Sequence, residues 1–418
     1  MDRLAEGTVP HLDLPNDNPA LKGARRIARM LSAAGFEAWL AGGSVRDLLM
    51  GRTPMDFDIA TSARPEQVIA IFDRTIPVGV RFGVVIVRMY GFDYEVATFR
   101  SDIGHSDGRR PDDVRFTDLH EDVKRRDFTM NGIVCDPVSG CVVDLVGGID
   151  DIRNGVIRAI GDPAERFRED RLRQMRAIRF AAQTGFSIEP ATLAAVAENA
   201  PFIVKVSAER IAEEYRKLLE SGDPARGLEL AARTGTLNHT IPELSADAAG
   251  SAVELARRLS GGPIELMWAA VLQSLDPQKA GDVLRRLRRS NAMIDSVVAI
   301  LSDAREAEAG PSGDVAAEKR MIRRKSFADG LLLLQAVLEA TGRSIDPVLA
   351  WRERAAQWKQ DELFPEPLVS GNDIIAAGVA RGPAIAALLD DVESQQLRNE
   401  LVTRNDALNY LAGLPKIR

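Results

Sequence analysis

The sequence predicts an α+β protein, a β-rich N-terminal head followed by helices almost without interruption. Two textures predict it. Before about residue 160 short apolar segments alternate with turn residues. After it apolar side chains recur at helical spacing, as at Leu172, Met175, Ile178 and Ala182 and again at Ile211, Tyr215 and Leu218. A third observation, the lack of any fixed-period repeat, sets aside a solenoid.

The strands are expected over 37–41, 57–60, 84–89, 94–99 and 133–145, the last broken by a turn at 136–140. Glycine and proline at Gly185, Pro190, Pro201, Gly222 and Pro224 then punctuate the helices. The segment 306–317, rich in Gly, Ala and Glu, reads as a mobile surface loop, and 362–371, with Pro365 and Pro367, as a hinge before a last helical unit.

At 418 residues the chain is long enough for two to four packed units. Its 54 Lys and Arg against 61 Asp and Glu leave a formal charge of 54 − 61 = −7. That balance excludes binding to nucleic acid by overall charge and leaves local clusters, Arg285, Arg286, Arg288 and Arg289, and Lys319, Arg320, Arg323 and Arg324, as candidate RNA contacts. For each cluster alone, the solvated face of a helix is the better reading. The longest apolar run, 266–272, is far short of a membrane span, and no apolar export signal opens the chain, so the expected compartment is the cytoplasm. Cys135 and Cys141 lack CxxC spacing and a neighbouring His, which excludes a disulfide framework and a structural zinc site.

The strongest local signal is Ala41-Gly42-Gly43-Ser44-Val45-Arg46-Asp47 followed by Asp56-Phe57-Asp58. A strand running into two glycines and then Ser44-x-x-Asp47 predicts a helix opening at Ser44 with a capping box, a junction that suits phosphate oxygens. On a strand, residues i and i+2 face one side, so Asp56 and Asp58 point together while Phe57 enters the core. Two adjacent carboxylates repel, and the usual reason to keep them so is a divalent cation such as Mg²⁺. Glu95 is open between an exposed strand position and the Asp56/Asp58 side. Arg109, Arg110, Arg125 and Arg126 suit triphosphate charge, and Asp127 and Asn131 suit ribose hydroxyls.

In order and spacing, GGSVRD, DFD, RRP, EDVKRRDFTMN, DLVGGIDDI, RFREDRLRQMRAIRFA and SAERIAEE resemble the motifs of the bacterial tRNA nucleotidyltransferase and poly(A) polymerase family, class II of the DNA polymerase β-like nucleotidyltransferases. The resemblance is dense from residue 24 to about 235 and continues faintly at Ser370-Gly371-Asn372-Asp373. It implies a head (24–160) carrying a small mixed sheet, a neck (161–235), a body (236–360) and a tail (361–418) behind an extension (1–23). It also implies addition of CMP, CMP and AMP to tRNA 3′ ends from CTP and ATP, with Mg²⁺ at a two-metal site and no nucleic acid template. DNA and membrane are not expected partners, and the protein is expected as a monomer or homodimer.

Carried over residue by residue, Asp56 and Asp58 match the metal-binding carboxylates, Gly42, Gly43 and Arg46 the triphosphate turn, Arg125, Arg126 and Asp127 the sugar and phosphate segment, and 144–151 the head–neck connector. Glu169, Asp170 and Arg173 match the base-reading motif, with Glu209, Arg210 and Glu213 as its neck support. By spacing, residues 169, 170 and 173 share one helical face. A carboxylate accepts from the exocyclic amine that C and A carry where U and G carry a carbonyl, and a guanidinium donates to ring acceptors, so Asp170 and Arg173 can act as a protein template. His105 departs from the tyrosine common in relatives, and His11, His105, His120 and His239 are scattered, which argues against a fused phosphohydrolase domain.

Poly(A) polymerase, or an enzyme restricted to A or CC addition, is the alternative. Residues 391–418 hold four acidic and four basic side chains instead of a basic extension, which favours tRNA end synthesis. A non-catalytic RNA-binding protein on the same fold would be expected to have lost the carboxylates.

Overall fold

The computed structural model describes residues 11–15, 17–104 and 113–414. Its packing divides the chain into two units, Met1–Ala246 and Asp247–Arg418.

The first unit opens with helix α1 (Pro19–Ala33), whose N-cap Asn18 accepts from the backbone N–H of Ala20 and Leu21. Leu21, Ala24, Ile27 and Leu31 recur on one face and are buried against the sheet residues Leu40, Ile59, Val85 and Val96. Tyr94 donates its hydroxyl to the Ala20 carbonyl at 2.7 Å, and a Cβ at Gly23 would meet that oxygen at 2.1 Å, so only glycine permits this approach of helix to sheet.

The sheet has seven strands in the order β3-β4-β5-β2-β1-β8-β9. These are β1 (Ala38–Ala41), β2 (Asp58–Thr61), β3 (Thr75–Gly79), β4 (Val84–Met89), β5 (Phe92–Thr98), β8 (Ile133–Cys135) and β9 (Val142–Asp144). β6 (Arg100–Ile103) and β7 (Asp113–Phe116) form a separate antiparallel pair. The main sheet is mixed because β2 runs parallel to β5 while its other pairs are antiparallel. Strands β3, β6 and β7 were not expected: exposed Ile76 and Val78 give β3 no inward apolar alternation to read.

Helix α2 (Gly43–Leu49) follows β1, α3 (Pro65–Ile71) follows β2, α4 (Leu119–Lys124) precedes β8, and α5 (Gly148–Asn154) follows β9. The expected capping box at Ser44 does not form. α2 starts one residue earlier with Gly42 as N-cap at φ 71°, and Ser44 Oγ donates back to the Ala41 carbonyl. Beyond the head come α6 (Pro163–Glu169), α7 (Arg173–Thr184), α8 (Pro190–Asn199), a 3₁₀ turn at Ala200–Lys205, α9 (Ala208–Leu219), α10 (Pro224–Arg233) and α11 (Thr236–Thr240).

The second unit is all helical. The stretch read as a loop over 306–317 is shorter in the structure, since helix Asn291–Ala307 takes its start and helix Val315–Ile322 its end. Helix Pro383–Leu397 packs on Val315–Ile322, so the segment beyond the prolines is fastened to the helices before it. Among the described residues no helix is long and apolar enough to cross a membrane.

Candidate active site

Asp58 is the first residue of β2, and Asp56 lies in the loop just before it, so the strand does not carry both carboxylates. Phe57 between them is 2% exposed and anchors the loop in the core. The parallel register that sets Ile59 beside Val96 sets Asp58 beside Glu95 on β5, with both side chains on the same face. The structure therefore brings Glu95 to the Asp58 side. Ala41, Asp58, Val84, Glu95, Arg100, Arg125 and Arg126 line a cleft of about 220 Å³.

Asp58 sits at the cleft floor with a water-accessible side chain. Burial among the surrounding protein, followed by the charges of Glu95 and Asp56, pushes its carboxyl up to about 7 against a smaller opposing effect of Arg126. Among the described residues no three His, Cys, Asp or Glu side chains converge enough to hold a metal unaided. Oxygens from a substrate phosphate would complete a Mg²⁺ shell begun by Asp56 and Asp58, and the unbalanced carboxylate charge fits a cation there.

The glycine turn closes one side of the cleft. A Cβ at Gly42 would lie 3.6 Å from Arg126 Nη1 and 3.9 Å from Asp58 Oδ2. The cleft arginines are held by a residue of the EDVKRRDFTMN motif that is not among the expected contacts, Asp122 on α4, which is 1% exposed. Its Oδ1 accepts from Arg125 Nε and Nη2 and its Oδ2 from Arg126 Nη2, at 2.7 to 2.9 Å. Burial opposes ionisation of Asp122, but the two guanidiniums hold its carboxyl below the ordinary range. Arg100, outside the motifs, turns its guanidinium to the Phe82 carbonyl and pairs with Asp102 at 3.5 Å.

Three residues expected at phosphate or ribose brace one another and the neck. Arg46 Nη1 donates to Asn131 Oδ1 at 3.0 Å, Asn131 Nδ2 donates to Asp127 Oδ1 at 2.9 Å, and Arg176 of α7 donates to Asp127 Oδ2 at 2.5 and 2.8 Å. Burial alone would raise the Asp127 carboxyl, yet Arg176 and Asn131 hold it far below the usual range. The Arg46, Arg176 and Arg179 guanidiniums all lie within 5.3 Å of the centroid of the Phe180 ring. Head turn and neck helix are thus one polar-aromatic brace. Asp144 accepts from the N–H groups of Val146, Gly148 and Ile149, which fixes the connector, and a Cβ at Gly148 would strike the Thr129 carbonyl at 2.1 Å.

Glu169, Asp170 and Arg173 do meet, but not on one helix. α6 ends at Glu169, Asp170 is extended at φ −135°, ψ 105°, and α7 begins at Arg173. Arg173 Nη1 donates to Glu169 Oε2 at 2.8 Å and Nη2 to the Arg125 carbonyl at 2.8 Å. Asp170 accepts from Leu172 N and from Arg210 Nη2. Of the expected support, Arg210 acts on Asp170, Glu213 pairs with Arg216 and Lys217, and Glu209 is exposed on the first turn of α9. The buried acid of α9 is Glu214, 3.2 Å from Arg179. Arg109 and Arg110, with His105, lie outside the described residues.

The two basic clusters behave differently. Arg285, Arg286 and Arg288 are exposed and Arg289 half-buried, with Arg285 paired to Asp282. Lys319 is 1% exposed and donates to the Leu397 carbonyl at 2.8 Å, Arg320 and Arg323 pair with Glu393, and Arg324 pairs with Asp303 and Glu306. That second cluster is not the solvated helix face expected of it alone: its charge is used between helices, and Lys319 is buried.

Comparison with known proteins places this geometry. A model of the poly A polymerase head domain matches residues 38–158, one described as a probable RNA and SrmB-binding site of polymerase A matches 185–247, and a putative tRNA nucleotidyltransferase domain 2 matches 263–412. The CCA-adding enzyme of Geobacillus stearothermophilus is 36% identical over 402 residues, 93% of this chain and 96% of that protein. The chain belongs to the CCA-adding enzyme family of nucleotidyltransferases. A second member, from Limosilactobacillus fermentum, is 35% identical over 393 residues, 93% of this chain and 96% of its own length. Among solved structures, the family's Bacillus stearothermophilus enzyme in complex with CTP superposes with a TM-score of 0.76 at 33% identity, covering 94% of this chain and 97% of that one. The expected polymerase β-like head with its mixed sheet is the fold found.

Proposed function

We propose that this protein builds the 3′ CCA end of tRNA, adding CMP, CMP and AMP from CTP and ATP in the cytoplasm, with Mg²⁺ at Asp56 and Asp58. One observation carries this reading: Arg173 Nη2 bonds to the carbonyl of Arg125, so the residue suited to reading a base adjoins the arginine suited to holding phosphates.

The donor arithmetic agrees. Arg173 directs Nη1 to Glu169 and to the Arg166 carbonyl and one Nη2 hydrogen to Arg125. Three of five N–H groups are then used, leaving Nε–H and one Nη2–H for ring acceptors of a base. Each Asp170 oxygen accepts one bond and keeps a lone pair for an exocyclic amine. C and A offer that amine, whereas U and G offer a carbonyl that Asp170 repels. Arg125 and Arg126, held in place by Asp122, balance the triphosphate, and the primer 3′ hydroxyl attacks the α-phosphorus with pyrophosphate leaving. When bound, Mg²⁺ supplies positive charge to the triphosphate and acidifies the attacking hydroxyl.

Support for the substrate comes from relatives named for CCA addition and from one relative solved with CTP. Incubating the protein with tRNA lacking CCA, and with CTP and ATP separately and together, tests the reading. Addition of two C residues with CTP alone, and a terminal A only with both, is the expected result. Long A tracts from ATP alone would replace it with poly(A) synthesis.

A further inference from the structure

An aromatic side chain packed against the residue that follows Asp170 is left unused by the chemistry above. Phe202, in the 3₁₀ turn Ala200–Lys205, is 44% exposed, and its neighbour Val204 is 63% exposed. A lone exposed apolar side chain needs no explanation, but this ring is flanked by two cations. The Arg171 guanidinium lies 4.8 Å from its centroid and the Lys205 ammonium 5.8 Å. Arg171 Nε is shielded from solvent, yet has no hydrogen-bond partner among the described residues.

The patch is tied to the nucleotide site from both chain directions. Arg171 directly follows Asp170, and Arg210, soon after Lys205, donates to the Asp170 carboxylate at 2.8 Å. The ring is therefore linked through Arg171 to the chain at Asp170, and lies within the segment matched as a probable RNA-binding site.

We propose that Phe202, flanked by Arg171 and Lys205, is a stacking platform for the unpaired 3′ end of the RNA primer. This rests on the tRNA reading above and adds where the primer is gripped. Stacking on an aromatic face is tolerant of base identity. That tolerance suits a primer whose terminal base changes after each addition, a task that hydrogen-bond readout would hinder. The flanking cations meet backbone phosphates, which favours an anionic polymer over a protein as the occupant.

The test is steady-state kinetics on the full chain with tRNA lacking CCA. Phe202→Ala should raise the KM for tRNA about tenfold, the size expected when one base–aromatic stack is removed. The KM for CTP at saturating tRNA should stay unchanged, because Asp170 and Arg173 are intact. Phe202→Trp should restore the tRNA KM, and Lys205→Ala should shallow the salt dependence of tRNA binding by about one phosphate. An unchanged tRNA KM in Phe202→Ala overturns the platform and is the result expected if the patch docks another protein. A Trp variant no better than Ala, or equal rises in both KM values, also overturns it by assigning Phe202 to the shape of the neck. If the wild-type protein adds no nucleotide at all, the functional reading fails before the variants are compared.

Discussion

Asp58 concentrates the chemistry of the head in one titratable group. Its carboxyl is raised to about 7, so without metal the fold tolerates the protonated form better. The contribution of Asp58 to stability is then greatest below its ordinary value of 3.8 and is lost as pH rises through about 7. Asp58→Asn should flatten that part of a Tm–pH curve recorded in EDTA. Mg²⁺ needs the ionised form, so its affinity should fall about tenfold per pH unit below pH 7, as titration calorimetry at several pH values would show. Nucleotide choice belongs to the same scale. Asp170→Ala removes an acceptor worth about 1 to 3 kcal/mol, and should lower CTP and ATP use by one to two orders of magnitude while relaxing rejection of UTP and GTP. Strict C and A selection at full rate in that variant would move base reading elsewhere.

Between elements, the decisive interactions are carboxylates that position arginines. Asp122 fixes Arg125 and Arg126 from α4, and Asp127 fixes the start of the neck through Arg176 of α7. Asp127→Asn removes the carboxylate that Arg176 bonds, leaving it only the more distant charges of Glu214 and Asp170, which should cost about 1 to 3 kcal/mol in urea unfolding. Arg46 and Asn131 belong to the same brace. Their removal should therefore lower kcat for CTP and ATP alike, and a change confined to the KM for nucleotide would show that they hold phosphates or ribose instead. The motifs by themselves do not separate these roles. EDVKRRD contains both the arginines that face the cleft and Asp122, which holds them, and only the packing of α4 and α7 shows that Asp122 and Asp127 are the buried carboxylates.

At the scale of the whole molecule, the two basic clusters predict different salt behaviour. Charge reversal at Arg285, Arg286 and Arg288, which are exposed, should weaken tRNA binding and reduce its salt slope by about one for each phosphate no longer neutralised. Lys319→Met should leave that slope unchanged and lower Tm, because Lys319 Nζ fastens the last helices through the Leu397 carbonyl. A slope that changed with Lys319 would return this cluster to the RNA surface.

The sequence by itself determined the α+β head and helical remainder, the Gly42-Gly43 turn, the Asp56-x-Asp58 pair and the meeting of Glu169, Asp170 and Arg173. The textures rest on strand alternation and helical periodicity and the turn on glycine at positive φ, while the two acidic clusters are close because their members lie within a few residues, on a loop and strand start and across a helix break instead of on the one strand and one helix face expected. Tertiary structure decided everything that depends on a partner far along the chain. It put Glu95 beside Asp58 through the parallel register of β2 on β5, gave Asp127 to Arg176 across 49 residues, and buried Lys319 under Leu397 across 78. A charged residue reads the same in sequence whether it faces water, a substrate or a buried opposite charge. Desolvation and the identity of the opposing group separate those cases, and both are set only when distant elements pack.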